Sequence, residues 1–381
     1  MEEARAGSEM DVVDAEMLPW WEPIAEILGD GGVYDAHTHI GQNDPDGLKQ
    51  TPAELLAGLA PLNARASVFP MHEPDGYPAA NDAVMEAAAE SDGKLVAYCR
   101  VDPRKDAVAE ARRCFEAGAR GIKLHPRAEQ FALDEPAIAG LAALADERRA
   151  PLLIHAGRGI PALGAVALQL SEKYPDARLI LAHAAVSDLA WLWRELPSHP
   201  NVLIDTSWWS PGDLIALFSL VPSGQIVWAS DSPYGRPLTS AVMHLRYALQ
   251  VGVEPDALRS IAGGQMERLL AGDDLAVFDR PPGEVERPHP HLERVVSHLT
   301  AAMGAAIYEG DHEELVSLAV LACDVAEGDD DQELIRRVEE LLRRSGELTA
   351  TDPEDERFPP SVRLLVAALS IARTPAAPLP S

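Results

Sequence analysis

Between residues 31 and 231 the chain repeats one unit, a short apolar run ending on a polar residue and followed by a stretch with helical spacing. Eight such runs are present: GVYDAH (32–37), ASVFP (66–70), LVAYCRV (95–101), GIKLH (121–125), PLLIH (151–155), RLILAH (178–183), NVLID (201–205) and QIVWASD (225–231). Nearly continuous apolar runs mark strands covered on both faces, as in a parallel sheet. In the intervening DAVAEARRCFEAG, Val108, Ala111, Arg112 and Phe115 follow helical spacing, with Asp106 placed as N-cap and Gly118 past the end. Eight strands alternating with helices predict an α/β fold, a (β/α)8 TIM barrel over residues 31–278. The rival is an open doubly wound sheet, against which counts the lack of a glycine-rich phosphate loop after the first run.

The flanks follow other rules. Residues 1–30 read as an acidic N-terminal extension, and EPDALRSIAGGQMERLLAG (254–272) as a closing helix. DRPPGEVERPHPH (279–291), rich in proline and charge, reads as a linker. Residues 292–373 carry only helical periodicity, for example Leu292, Val295, Val296 and Leu299, which predicts an all-α C-terminal extension with a last helix near 361–373. The tail TPAAPLPS (374–381) is expected to be disordered.

Asp and Glu number 61 against 32 Lys and Arg, a net charge of −29. That balance excludes a nucleic-acid-binding face and attachment to anionic lipid. Cys99, Cys114 and Cys323 are few and far apart, which predicts no disulfide framework and a reducing cytosol. The N-terminus lacks a signal-like apolar core and no run of eighteen apolar residues occurs, so the expected location is cytoplasmic. The expected partners are a small-molecule substrate and a second copy of the chain, docked through the C-terminal helices.

The polar residues closing the strands form a pattern. DAHTHIG gives His37 and His39, two apart and so on one strand face. GIKLH gives Lys123 and His125, and the later runs give His155, His183 and Asp231. In a (β/α)8 barrel these ends converge on one mouth. Imidazoles with a carboxylate suit Zn²⁺ or a similar divalent ion, which lowers the pKa of bound water toward ~7. A carboxylate beside it serves as general base and then returns the proton to the leaving group. His289-Pro-His291 is also an HxH, but it lies in the linker without a converging partner and reads as solvated.

DAHTHIG, GIKLHP, PLLIHAG, LILAHAA, NVLIDTS and WASDSPYG, in this order, resemble the amidohydrolase superfamily. The likeness is strongest to its amidohydrolase-related branch (amidohydrolase family 2), which also holds decarboxylases similar to aminocarboxymuconate-semialdehyde decarboxylase. IAGGQMERLLAG resembles the branch's closing motif, with Gln265 where asparagine is usual. The resemblance covers roughly residues 31–272 and implies a distorted TIM barrel holding one or two divalent metals, zinc most often. By position, His37, His39, His155 and Asp231 resemble metal ligands. His183 resembles the residue that polarises substrate or assists proton transfer, and Asp231 doubles as the proton shuttle. A lysine at the place of Lys123 is carboxylated and bridges two metals in binuclear members. In relatives with one metal it is free to bind the substrate's anion, and one metal is the expectation here. To be carboxylated, Lys123 must first lose a proton held with a pKa of about 10.4.

The substrate-facing candidates are His125, Arg158 and Trp208. His125 orients Lys123 or lines the pocket, or else packs on Pro126. Arg158 clamps a carboxylate or phosphate, or else is a solvated loop residue. Trp208, beside Trp209, walls an apolar or aromatic substrate, or else only packs. The expected activity is metal-dependent hydrolysis of a C–N, ester or lactone bond in a small organic molecule. The runner-up is non-oxidative decarboxylation of an unsaturated or aromatic acid. A reading of another class, an inactive barrel serving as scaffold or binding module, is opposed by the full set of ligands.

Overall fold

The computed structural model describes residues 10–160, 162–278, 281, 288–307, 312–353 and 358–381. The eight expected strands are Tyr34–Ile40 (β1), Arg65–Pro70 (β2), Leu95–Arg100 (β3), Gly121–Leu124 (β4), Pro151–Ile154 (β5), Arg178–Leu181 (β6), Val202–Asp205 (β7) and Ile226–Val227 (β8). They form one sheet in chain order, every neighbour parallel. The first strand is joined to the segment directly after the last by hydrogen bonds from Ala36 N to Trp228 O (3.1 Å), Asp231 N to His37 O (2.9 Å) and His39 N to Ser232 O (2.8 Å). With helices between the strands, the result is the (β/α)8 barrel that the alternation predicts.

Side-chain alternation then sorts the barrel interior into an apolar floor and a polar rim. Tyr34, Phe69, Tyr98, Leu153, Ile180, Leu203 and Val227 are buried in one cluster with Met266 and Leu269 of the helix Gln265–Ala271. Leu153 pairs in register with Lys123, and Lys123 with Arg100, so these two polar residues share the inward face at the strands' C-terminal ends. Packing is tight at Gly121, where a Cβ would lie 2.8 Å from Pro151 Cγ and 2.9 Å from the Tyr98 ring.

The closing segment departs from a single helix. It runs as Pro255–Arg259, a π-helical turn over Ser260–Gly264, and Gln265–Ala271. The break sits at Gly263, where a Cβ would meet Gly32 O at 2.3 Å, so the backbone presses against the chain entering β1. Gln265 then acts as a clamp. Its amide donates to Gly224 O and Ala276 O, and its Oε1 accepts from Ala276 N.

The described residues divide into two compact units: 28–241 and 253–278 with 281 in the first, and 10–27, 242–252 and those from 288 onward in the second. The second unit is helical, and two departures from expectation fall in it. The N-terminal segment is no separate extension, because its helix Val12–Leu28 brings Glu16 to 3.0 Å from Arg344, and Asp11 just before it lies 3.0 Å from Arg363. The tail 374–381 is ordered rather than disordered. The buried guanidinium of Arg246 donates to Thr374 Oγ1 (3.0 Å), Thr374 O (3.0 Å) and Pro378 O (2.6 Å), and Ala376 N donates to Gln250 Oε1 (2.8 Å). Of the expected linker, residues 279, 280 and 282–287 lie outside the described residues, while residues 290 and 291 already belong to the helix Pro290–Ile307. Among the described residues no helix is long and apolar enough to cross a membrane. All three cysteines are buried and free.

Candidate active site

Strand β1 sets the centre of the site. An irregularity in its register between Asp35 and Thr38 carries it past His37, so that His37 and His39 both lie inside the strand and at the mouth. The carboxylate of Asp205, at the end of β7, only accepts, so the 2.8 Å contact puts a proton on His37 Nδ1. His37 Nε2 then faces His39 Nε2 at 3.2 Å and Asp231 Oδ1 at 3.0 Å, and His39 Nε2 is 3.2 Å from the same oxygen. The three residues form the one group among the described residues whose ligand atoms all lie close enough to share a metal ion. Asp231 adopts a left-handed φ of 61° and His183 one of 59°. Each such backbone costs ~1–3 kcal/mol and must be held by its surroundings. Asp231 is held through its N–H on His37 O, and His183 through its N–H on Asp205 Oδ1 at 2.9 Å.

A second chain of imidazoles runs beside the first. Ser207 O accepts from His183 Nδ1 (2.8 Å), which leaves His183 Nε2 to accept from His155 Nδ1 (2.8 Å). His155 Nε2 is thereby left bare and buried, without a partner among the described residues. The His155 ring stacks on His125, centroids 3.8 Å apart, and His125 Nδ1 accepts from Ala128 N. Lys123 is fully buried, with Nζ 3.0 Å from His37 Nε2 and over the Phe69 ring.

Burial dominates the electrostatics. It brings His39 down to about 3, Lys123 to about 7 and His155 well below the usual imidazole range. Burial also disfavours both carboxylate anions, but His37 outweighs it, holding Asp205 at about 2 and Asp231 well below the ordinary value. Burial and Lys123 push His37 down, yet Asp231 and Asp205 prevail and raise it. The Asp231 carboxylate and the Nε2 atoms of His37 and His39 are a donor set that fits a divalent cation.

A family model, Amidohydro_2, described as amidohydrolase, matches residues 34–269. The chain belongs to the amidohydrolase-2 family. A search of curated proteins finds no match to this chain. Among solved structures it is similar to 5-carboxyvanillate decarboxylase from Sphingomonas paucimobilis, at 16% identity and TM-score 0.50, covering 64% of this chain and 99% of that one. It is also similar to 2,6-dihydroxybenzoate decarboxylase (14%, TM-score 0.51, 63% and 99% covered) and to IDCase from Metarhizium anisopliae (13%, 0.51, 65% and 99%). At these identities the likeness is one of fold.

Of the residues singled out in the sequence, the amidohydrolase fold gathers His37, His39, Asp231 and Lys123, with His183 Nδ1 3.9 Å from Asp231 Oδ2. His155 stands outside that group, bonded to His183. Arg158 is exposed on the loop after β5. Trp208 donates its indole N–H to Asp213 Oδ2 (2.7 Å), and its ring lies 6.3 Å from that of His183. His289 and His291 are not merely solvated: each lies near an aspartate, Asp330 at 3.7 Å and Asp329 at 3.9 Å.

Three positioning elements escaped the sequence reading. Asp205 orients His37, His183 and Ser207 together, and the signal was present, since NVLID ends on an acid as WASD does. Arg100, in register with Lys123, is buried against Glu129 at 2.7 Å. Gln50 has no sequence signature. Its amide donates to His39 O (2.7 Å) and accepts from Ser232 Oγ (2.8 Å), tying the end of β1 to the segment after β8. Asp205→Ala is expected to release the His37 tautomer and weaken metal binding about 10–100-fold, measured by competition with a chromogenic chelator.

Proposed function

We propose that this amidohydrolase-2 protein is a metal-dependent hydrolase acting on a C–N, ester or lactone bond of a small organic molecule. The observation that carries the reading is the meeting of His37 Nε2, His39 Nε2 and Asp231 Oδ1 within 3.2 Å, beside a second carboxylate that fixes the His37 tautomer. These three residues would hold a divalent cation, zinc by the character of the donors, with the bare Nε2 of His155 as the proposed fourth donor. When bound, the cation supplies Lewis acidity and a water of lowered pKa. Asp231, whose side chain is 18% exposed and so reached by solvent, accepts the nucleophile's proton and returns it to the leaving group. His183, held by Ser207 O, assists that transfer. Lys123 meets an anionic group of the substrate, His125 and Arg158 its polar edge, and Trp208 its apolar body.

The second reading, non-oxidative decarboxylation of an unsaturated or aromatic acid, is favoured by the names of two of the fold relatives and by the Lys123 amine beside the donor group. Screening esters, lactones and amides for acid release, and candidate acids for CO2 release, separates the two. Acid release from a neutral ester or amide is the expected result, and CO2 release alone supports the second reading. Dialysis against a strong chelator is expected to abolish turnover, and about one equivalent of zinc to restore it. Full activity in metal-free protein contradicts both readings.

A further inference from the structure

The opposite end of the barrel, where the strands begin, carries a feature that the mouth chemistry does not use. Arg120 immediately precedes β4, Arg148 and Arg149 stand just before β5, and Arg178 opens β6. Successive βα units thus deliver arginines to one region of a chain whose net charge is −29. A cavity of about 270 Å³ opens there, lined by Arg120, Arg148, Arg149, Phe115 and the end of the helix Gln265–Ala271.

These guanidinium groups are poorly matched by their surroundings. Arg120 donates to Leu270 O at 2.7 Å, which is a sound helix C-terminal contact. Glu147 is 3.7 Å from Arg148 and Asp176 3.6 Å from Arg149, and Arg149 donates one long hydrogen bond, 3.4 Å, to Asp274 Oδ1. All three acids have side chains more than half exposed, at 56%, 58% and 99%, so such pairs contribute little. Arg149 Nε is buried without a hydrogen bond. Arg178 is 8% exposed, in register with the cavity residue Pro151, and its guanidinium has no hydrogen bond or ion pair among the described residues. Burial and the neighbouring Arg149 charge lower the Arg178 pKa against the opposing pull of Asp176 and Asp274. Arginines gathered with partners this exposed contribute little to stability, so their clustering points to a ligand.

We propose that this cavity is an anion site for a phosphate group, either free phosphate or a small phosphomonoester, gripped by Arg149 with Arg120 and Arg148, which line it, while Arg178 at the start of β6 adds positive charge beside it. The planar donor fork of arginine matches tetrahedral oxyanions in bidentate fashion, and Phe115 gives an esterified ligand an apolar wall. The site lies at the other end of the strands from His37 and Asp231, so it stands or falls apart from the proposed hydrolysis.

The test is phosphorus NMR of inorganic phosphate titrated into the full-length, metal-loaded protein, with chloride at matched ionic strength as reference. Saturable binding with Kd below about 1 mM is expected. Arg149→Ala is expected to weaken it at least about tenfold, and Arg149→Lys, which keeps charge and loses the fork, to fall between. Phosphate held at a metal in the mouth survives both changes, whereas phosphate held here does not. Phenyl phosphate binding more tightly than inorganic phosphate identifies an esterified ligand, and the reverse order identifies free phosphate. Absence of saturation beyond chloride, or titrations that Arg149→Ala and Arg149→Lys both leave unchanged, overturns the proposal. Should Arg149→Ala not fold, Arg149→Lys and Arg178→Lys carry the same comparison.

Discussion

Replacing His37 by alanine is expected to strip the protein of its divalent metal and to lower turnover by at least ~10³-fold. The substitution removes one donor nitrogen outright. It also leaves Asp205 Oδ2 without its 2.8 Å partner and Lys123 Nζ without its 3.0 Å acceptor. Asp231→Asn should divide the effect differently. It keeps the shape and one oxygen donor, so metal content falls less, but it removes the base, which contributes ~10²–10⁴-fold in rate. Elemental analysis of the purified variants beside steady-state rates checks the ordering: His37→Ala poorer in metal, Asp231→Asn poorer in rate per bound metal. His291→Ala, outside the barrel unit and near Asp329, should change neither.

Deleting residues 374–381 is expected to destabilise the helical unit by about 3–5 kcal/mol. Arg246 is fully buried, and burial pushes its pKa down to about 9. Its Nε and both terminal nitrogens donate to Thr374 and Pro378, and its guanidinium also lies 5.0 Å over the Trp20 ring. Deletion leaves that cation in place with three acceptors gone, which costs far more than the modest net worth of three satisfied bonds. Arg246→Leu in the truncated chain should therefore recover part of the loss. Urea unfolding of the four chains of this cycle reads the coupling between Arg246 and the tail. Equal stability of full-length and truncated protein would mean that the tail merely lies alongside.

The barrel was legible because its information is local. Apolar runs of strand length, each closed by a polar residue, needed no distant partner to be recognised. Strand limits moved where a neighbour decides them. β1 continues to Ile40 because its pairing with β2 resumes at Thr38, and β8 stops at Val227 because Trp228 N turns to Ile261 O of the closing segment. Site residues followed the same division. His37, His39 and Asp231 were read from strand ends, whereas Gln50 depends on a carbonyl eleven positions away and a hydroxyl across the seam. The order in the tail rests on Arg246, 128 residues distant, and a proline-rich segment carries no sign of such a partner. His155 lies at the expected strand end, but its bond to His183, which leaves its Nε2 bare, depends on Ser207 on another strand's loop.

The central claim is a cation held by His37, His39 and Asp231. Anomalous diffraction from crystals of zinc-loaded protein, recorded on both sides of the zinc absorption edge, tests it most directly. One strong peak within bonding distance of those three side chains is the predicted result. A map with no peak at that point, or with zinc only elsewhere on the surface, contradicts the account.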